Sequence, residues 1–107
     1  MSIKLNSIKK SERPEKKYVA EFSITSVKTN PTKKRVHFGA NGMGDYIKFS
    51  KMSNKTGDEH KERYLNRHKA REDWNNPLTA GALSRWVLWN KRSLRESISD
   101  FKSRFNL

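Results

Sequence analysis

From Tyr18 to Val27 apolar and polar residues alternate. Tyr18, Ala20, Phe22 and Ile24 fall on one face, with Glu21, Ser23 and Thr25 on the other, the period-two signature of a half-buried strand. Asn30-Pro31 predicts a turn, and in KKRVHF beyond it Val36 and Phe38 alternate with Arg35 and His37. The pair predicts an antiparallel hairpin with a basic tip around TNPTKK. A third short strand is predicted over DYIKF, with Tyr46 and Lys48 opposite Ile47 and Phe49. Between the second and third strands lies GANGMGD, whose three glycines permit positive φ and a tight connection, with Asp45 bonding the loop amides.

The period then changes. SKMSNKTG (50–57) reads as a loop. Thr56 and Glu59 stand at capping-box spacing, predicting a charged helix of about 16 residues that lies across the surface. Its apolar content is thin: Tyr64 and Leu65, with His60, His68 and Ala70. Trp74 follows, and NNP stops it. Asn76 as N-cap and Pro77 at the first helical position predict the next helix, with Leu78, Ala82, Leu83, Trp86 and Trp89 at three- and four-residue spacing. Gly81 inside it lowers helix propensity by about 1 kcal/mol relative to Ala, which points to a close approach by another backbone. Ser93 with Glu96 opens the clearest amphipathic helix, with Leu94, Ile98, Phe101 and Phe105 on one face. The expected fold is α+β: a small antiparallel sheet of about three strands, then a polar helix and a C-terminal helical hairpin. The expected core is Tyr18, Phe22, Ile24, Val36, Phe38, Trp74, Leu83, Trp86, Leu94, Ile98, Phe101 and Phe105.

Composition limits this picture. At 107 residues there is room for one core. Residues 1–17, with Lys4, Lys9, Lys10, Arg13, Lys16 and Lys17 against Glu12 and Glu15 and broken by Pro14, read as a basic N-terminal arm. Residues 18–107 then form a single domain. Net charge is +13, from 24 Lys and Arg against 11 Asp and Glu, which favours a polyanionic partner or an acidic protein surface. The chain has no cysteine, so disulfides and thiolate metal sites are excluded. MSIKLNSIKK lacks the apolar run of a secretory signal, and Trp86-Val87-Leu88-Trp89 is far too short to span a membrane.

Catalytic chemistry finds little support. His37, His60 and His68 are the only histidines, and the last two, eight residues apart, do not stand on adjacent turns as paired metal ligands. The usable carboxylates include Asp45, Asp58, Glu62 and Asp73, and an acid–base site would need His68 and a carboxylate converging in a pocket. RHKAREDWNN has the composition of His/Asn nuclease sites without their ordered ligand framework, so surface histidines are the simpler reading. GANGMGD has neither GxGxxG nor a following GK[ST]. A helix–turn–helix reader would place Leu94, Ile98 and Phe101 where base-reading side chains belong. No enzyme, cofactor or metal is expected. Non-specific nucleic-acid contact remains, with Lys and Arg on phosphates and any exposed aromatic on bases.

VHFGANGMGDY, RYLNRHKAREDWNNPLTAGALSRWVLWNK and SLRESISDFKSRFNL together resemble a family of small basic proteins, a domain of unknown function, from large DNA viruses of algae and amoebae. The resemblance covers roughly residues 18–107, and TAGALSRWVLWNK with Trp74 is its most specific part. It implies a virion protein, present in the host cytoplasm during assembly. In that setting the expected function is a minor capsid component docking on other viral capsid proteins. The alternative is a genome-associated protein that neutralises DNA. The expected contact residues are Lys9, Lys10, Arg13, Lys16, Lys17, Lys33, Lys34, Arg35, Arg85, Trp89, Lys91 and Arg92. Trp89 is expected at the edge of the apolar stripe, and Arg85 facing a partner.

Overall fold

Ile3, Leu5 and Ile8 break a strict two-residue alternation, which hides a strand. The structure, a computed structural model, describes residues 2–26 and 28–107, and there Ser2–Lys10 is β1. It pairs antiparallel with β2 (Lys16–Ser26), and the register shifts between Leu5 and Ser7. The extra residue, Asn6, is a β-bulge that returns Ile8 to the face of Leu5. The segment expected to be an arm is therefore an edge strand, with Leu5 buried in the core. The expected domain boundary at residue 17 falls inside β2.

β3 (Thr29–Ala40) completes a meander in the order β1-β2-β3. Ser26 pairs with Thr29, so the hairpin turn precedes Asn30-Pro31. Pro31 sits within β3, where an edge strand tolerates a missing N–H. Cross-strand rows then define two faces. Leu5/Phe22/Lys34, Ile8/Ala20/Val36 and Lys10/Tyr18/Phe38 form the inner one. Lys4/Ser23/Lys33, Ser7/Glu21/Arg35 and Lys9/Val19/His37 form the outer one.

DYIKF is helical, not a third strand. α1 (Tyr46–Met52) starts at Asp45, whose carboxylate accepts from the Lys48 amide at 2.9 Å. Tyr46 and Phe49, three apart, turn inward together on it. Ser53 ends α1 and caps α2 (Asn54–His68), accepting from the Thr56 amide, so the helix begins before the expected Thr56 box. Gly57 allows this tight corner, since a Cβ there would lie 3.0 Å from the Ser50 backbone. α2 is less polar in use than in composition. His60, Tyr64 and His68 lie at i, i+4 and i+8 and stack on Phe49 (3.7 Å), Trp89 (4.5 Å) and Tyr64 (4.3 Å) respectively.

The Trp-rich stretch also starts later than expected. Asn76 makes only a local turn to the Leu78 amide, and Thr79 caps α3 (Ala80–Leu83). The helix then widens into a π turn over Ser84–Leu88, with the Trp89 amide bonded to the Ser84 carbonyl at 3.0 Å. α4 (Leu94–Arg104) begins at Ser93 as the sequence predicts, with the Glu96 amide on its hydroxyl. Phe22, Phe38, Leu83, Val87 and Phe101 are fully enclosed. Phe101 meets Phe22 edge-on at 6.5 Å, joining the last helix to the middle strand.

Candidate functional site

The outer face of the sheet, between the two edge strands, is a sparsely paired cationic surface. Lys4 and Lys33 flank Ser23 in one row, and Lys9 flanks Val19 in another. None of these lysines has an ion-pair partner among the described residues, nor do Lys10 and Lys34 on the other face. Arg35 is tied to Glu12 at 2.8 Å, and the Ser11 hydroxyl bonds His37 Nδ1. Strand alternation therefore divides the KKR run: Lys33 and Arg35 face outward, with Lys34 between them on the opposite side. Arg13 is exposed in the β1–β2 turn.

The other expected contacts scatter. Lys17 is 2.6 Å from Asp45, which therefore holds a cation as well as capping α1. Lys91 and Arg92 are exposed in the link before α4. Arg92 donates twice to Asp58, at 2.9 and 3.1 Å. Asp58 also accepts from the Tyr46 hydroxyl at 2.7 Å. That hydroxyl, helped by Arg92, holds the Asp58 carboxyl below its ordinary pKa, while burial followed by Asp58 raises that of Tyr46. The Lys61 ammonium lies over the Tyr46 ring and donates to the Asn90 carbonyl at 2.8 Å. Burial, with Arg85 and Lys91 nearby, lowers its pKa.

Two expected contacts are interior groups. Trp89 is 9% exposed and lies flat on Tyr64. Arg85 donates to the Trp89 carbonyl at 2.7 Å, capping the π turn, and rests on Trp86 at 4.2 Å. Arg104 covers the same indole at 3.8 Å. Trp86 is the half-buried member of the pair, its indole N–H held by the Trp74 carbonyl at 2.8 Å. Period alone reverses the two tryptophans because the π turn shifts the phase between them.

A cleft of about 390 Å³ lies at the Lys16 end of the sheet, floored by Leu88 and Trp89 and bordered by Met43, Arg67, His68 and Glu72. His68 Nδ1 is 2.5 Å from Glu72, so an imidazole and a carboxylate do converge there. The sequence carries a signal for this partner, since Glu72 stands four residues after His68. It also accepts from the Trp74 indole at 3.1 Å, and the His68 ring stacks on Tyr64. The pair thus fastens the end of α2 to the following turn. Among the described residues, no other side chain hydrogen-bonds to His68, and no group of three or more His, Asp or Glu could hold a metal. No described helix is long and apolar enough to cross a membrane. Comparison with protein-family models, with curated proteins and with solved structures finds no match for this chain.

Proposed function

We propose that the protein is a minor structural component of the shell of a large icosahedral DNA virus, docking electrostatically on acidic surfaces of neighbouring capsid proteins. One observation carries the reading: the outer sheet face presents Lys4, Lys9 and Lys33, without ion-pair partners among the described residues, on a three-stranded support. The resemblance noted in the Trp-rich stretch supplies the viral setting. The only large hydrophobic side chains exposed among the described residues are Met43 and Met52. No exposed aromatic platform therefore accompanies the lysines, as single-strand binding by base stacking would require. A rigid cationic sheet suits a fixed complementary protein surface.

Cross-linking of purified virions from lysine amines to carboxylates tests the reading. Cross-links from Lys4, Lys9 and Lys33 to a shell protein, at constant copy number per particle, are expected. Absence from shells, or recovery only with released genome, overturns it. The second reading, non-specific DNA binding, is favoured by lysines on both faces of the β2–β3 hairpin. It predicts a shift of unrelated duplexes that weakens steeply as salt rises. No shift at low ionic strength removes it.

A further inference from the structure

Several of the polar groups that line the cleft beside the β3–α1 turn are already paired. Lys17 is paired with Asp45, and Glu72 takes both His68 and the Trp74 indole. The buried polar atoms without a partner, Ser50 Oγ and Arg85 Nε, belong to residues outside its lining. The cations without an ion-pair partner among the described residues, Lys16 and Arg67, stand at its border, and Leu88 and Trp89 offer an apolar floor.

The mouth is constructed differently. Met43 is 65% exposed, yet its loop is fastened. Asn41 donates its amide to the Glu15 carbonyl at 3.0 Å and its side chain to the Pro14 carbonyl at 2.9 Å. Gly39 and Gly42 take φ of 78° and 87°, a conformation other residues rarely adopt. A tethered loop therefore holds a flexible thioether in water at the rim of an apolar hollow, the kind of side chain that adapts to a partner's surface. Lys16 and Arg67 also border the hollow, and neither has an ion-pair partner among the described residues.

We propose that this cleft receives an apolar anchor side chain from an acidic, extended segment of the partner protein. The inference deepens the docking reading above and rests on it. Met43 and the aromatic floor would enclose the anchor, and Lys16 and Arg67 would pair with carboxylates flanking it. A second copy of the chain is a poor occupant, because it brings another charge of +13.

The test uses the full chain and two short synthetic peptides of Glu and Ser, identical except for a central Leu or Ala. Methionine methyl and tryptophan indole NMR signals follow binding. The Leu peptide is expected to move Met43 and Trp89 while leaving Met52 in place, and to bind roughly tenfold more tightly than the Ala peptide. Met43→Ser, at an exposed position, should keep the fold and lose most of that difference. Arg67→Glu should weaken both peptides alike. Equal binding of the two peptides, or shifts at Met52 matching those at Met43, overturns the inference. Should cross-linking place the chain in shells while the peptides bind equally, the cleft inference fails and the structural reading stands. Should the peptides discriminate while the chain is absent from shells, the capsid reading fails and the cleft remains a docking site for acidic segments.

Discussion

Gly81 and Glu72 offer a stability experiment whose sign depends on one carboxylate. Gly81 lies in the first turn of α3, and a Cβ there would meet Glu72 Oε2 at 2.5 Å and its Cδ at 3.0 Å. Carboxylates on flexible side chains usually move aside, but this one is held by His68 at 2.5 Å and by the Trp74 indole at 3.1 Å. Helix propensity alone favours Gly81→Ala by about 0.5–1 kcal/mol. Displacing Glu72 gives up two hydrogen bonds to a charged group, each worth about 1.5–3 kcal/mol when shielded. With the His68 and Glu72 side chains 38% and 23% exposed, a combined loss of about 2–3 kcal/mol is more realistic. The substitution should therefore destabilise by about 1–2 kcal/mol, lowering Tm by roughly 5–10 °C. In a Glu72→Ala background the obstacle is gone, and the same change should stabilise by about 0.5–1 kcal/mol. Urea unfolding of the four proteins in the cycle measures both effects. A Gly81→Ala protein more stable than the parent, or equally destabilised in both backgrounds, would refute the reasoning.

Three further outcomes are expected. Phe101→Ala, which empties a fully enclosed site against Phe22, should cost about 3–5 kcal/mol by urea unfolding. A loss below about 1 kcal/mol would mean that α4 is not part of the core. Deleting Asn6 removes the bulge and leaves Ile3, Leu5 and Ile8 in strict alternation on the inner face, opposite Ile24, Phe22 and Ala20; hydrogen exchange should then show amide protection across Ser2–Leu5 retained, and its loss counts against the bulge. Asp58 and Asp100 both have lowered pKa values. For Asp58 the Tyr46 hydroxyl leads; for Asp100 burial opposes the shift and is outweighed by the Asn90 amide and Arg104. Their stabilisation is present above the ordinary carboxylate pKa and lost as pH falls through the lowered one. Unfolding midpoints should decline as pH falls below the ordinary carboxylate value of 3.8, less steeply in Asp100→Asn, and an identical acid limb in that variant would contradict the assignment.

Strong periodicity made part of this fold legible. Tyr18, Ala20 and Phe22, with Val36 and Phe38 opposite, determine the central hairpin, and Ser93 with the Phe101 stripe determines α4. Legibility failed where one residue changed the phase. Asn6 hid β1 by breaking the Ile3–Leu5–Ile8 spacing, and the Lys residues around it imitated a solvated tail. Over DYIKF, strand and helix periods were indistinguishable for so short a run, and the deciding fact is the Asp45 cap. The histidines of α2 were read by polarity, although imidazole also has a flat face that packs on aromatics. Gly81 did announce a close approach, but by a side chain rather than a backbone. The lysines of the outer face could be picked out by charge. The cleft could not, because Met43, Arg67 and Trp89 meet only in three dimensions.

The π turn over Ser84–Leu88 means that the helix contains one residue more than an uninterrupted α-helix would need there. Each residue advances an α-helix by about 100°, and the wide turn absorbs the extra one, so Trp89 lies over Ser84 where an α-helix would place the residue before it. Removing one residue from this turn would therefore leave Trp89 on Tyr64, whereas adding one would rotate Trp89 away and unseat the aromatic column along α2. Length between Leu83 and Asn90 is thus an inherited adjustment of rotational phase, and among descendants of this sequence it should tolerate one deletion better than one insertion.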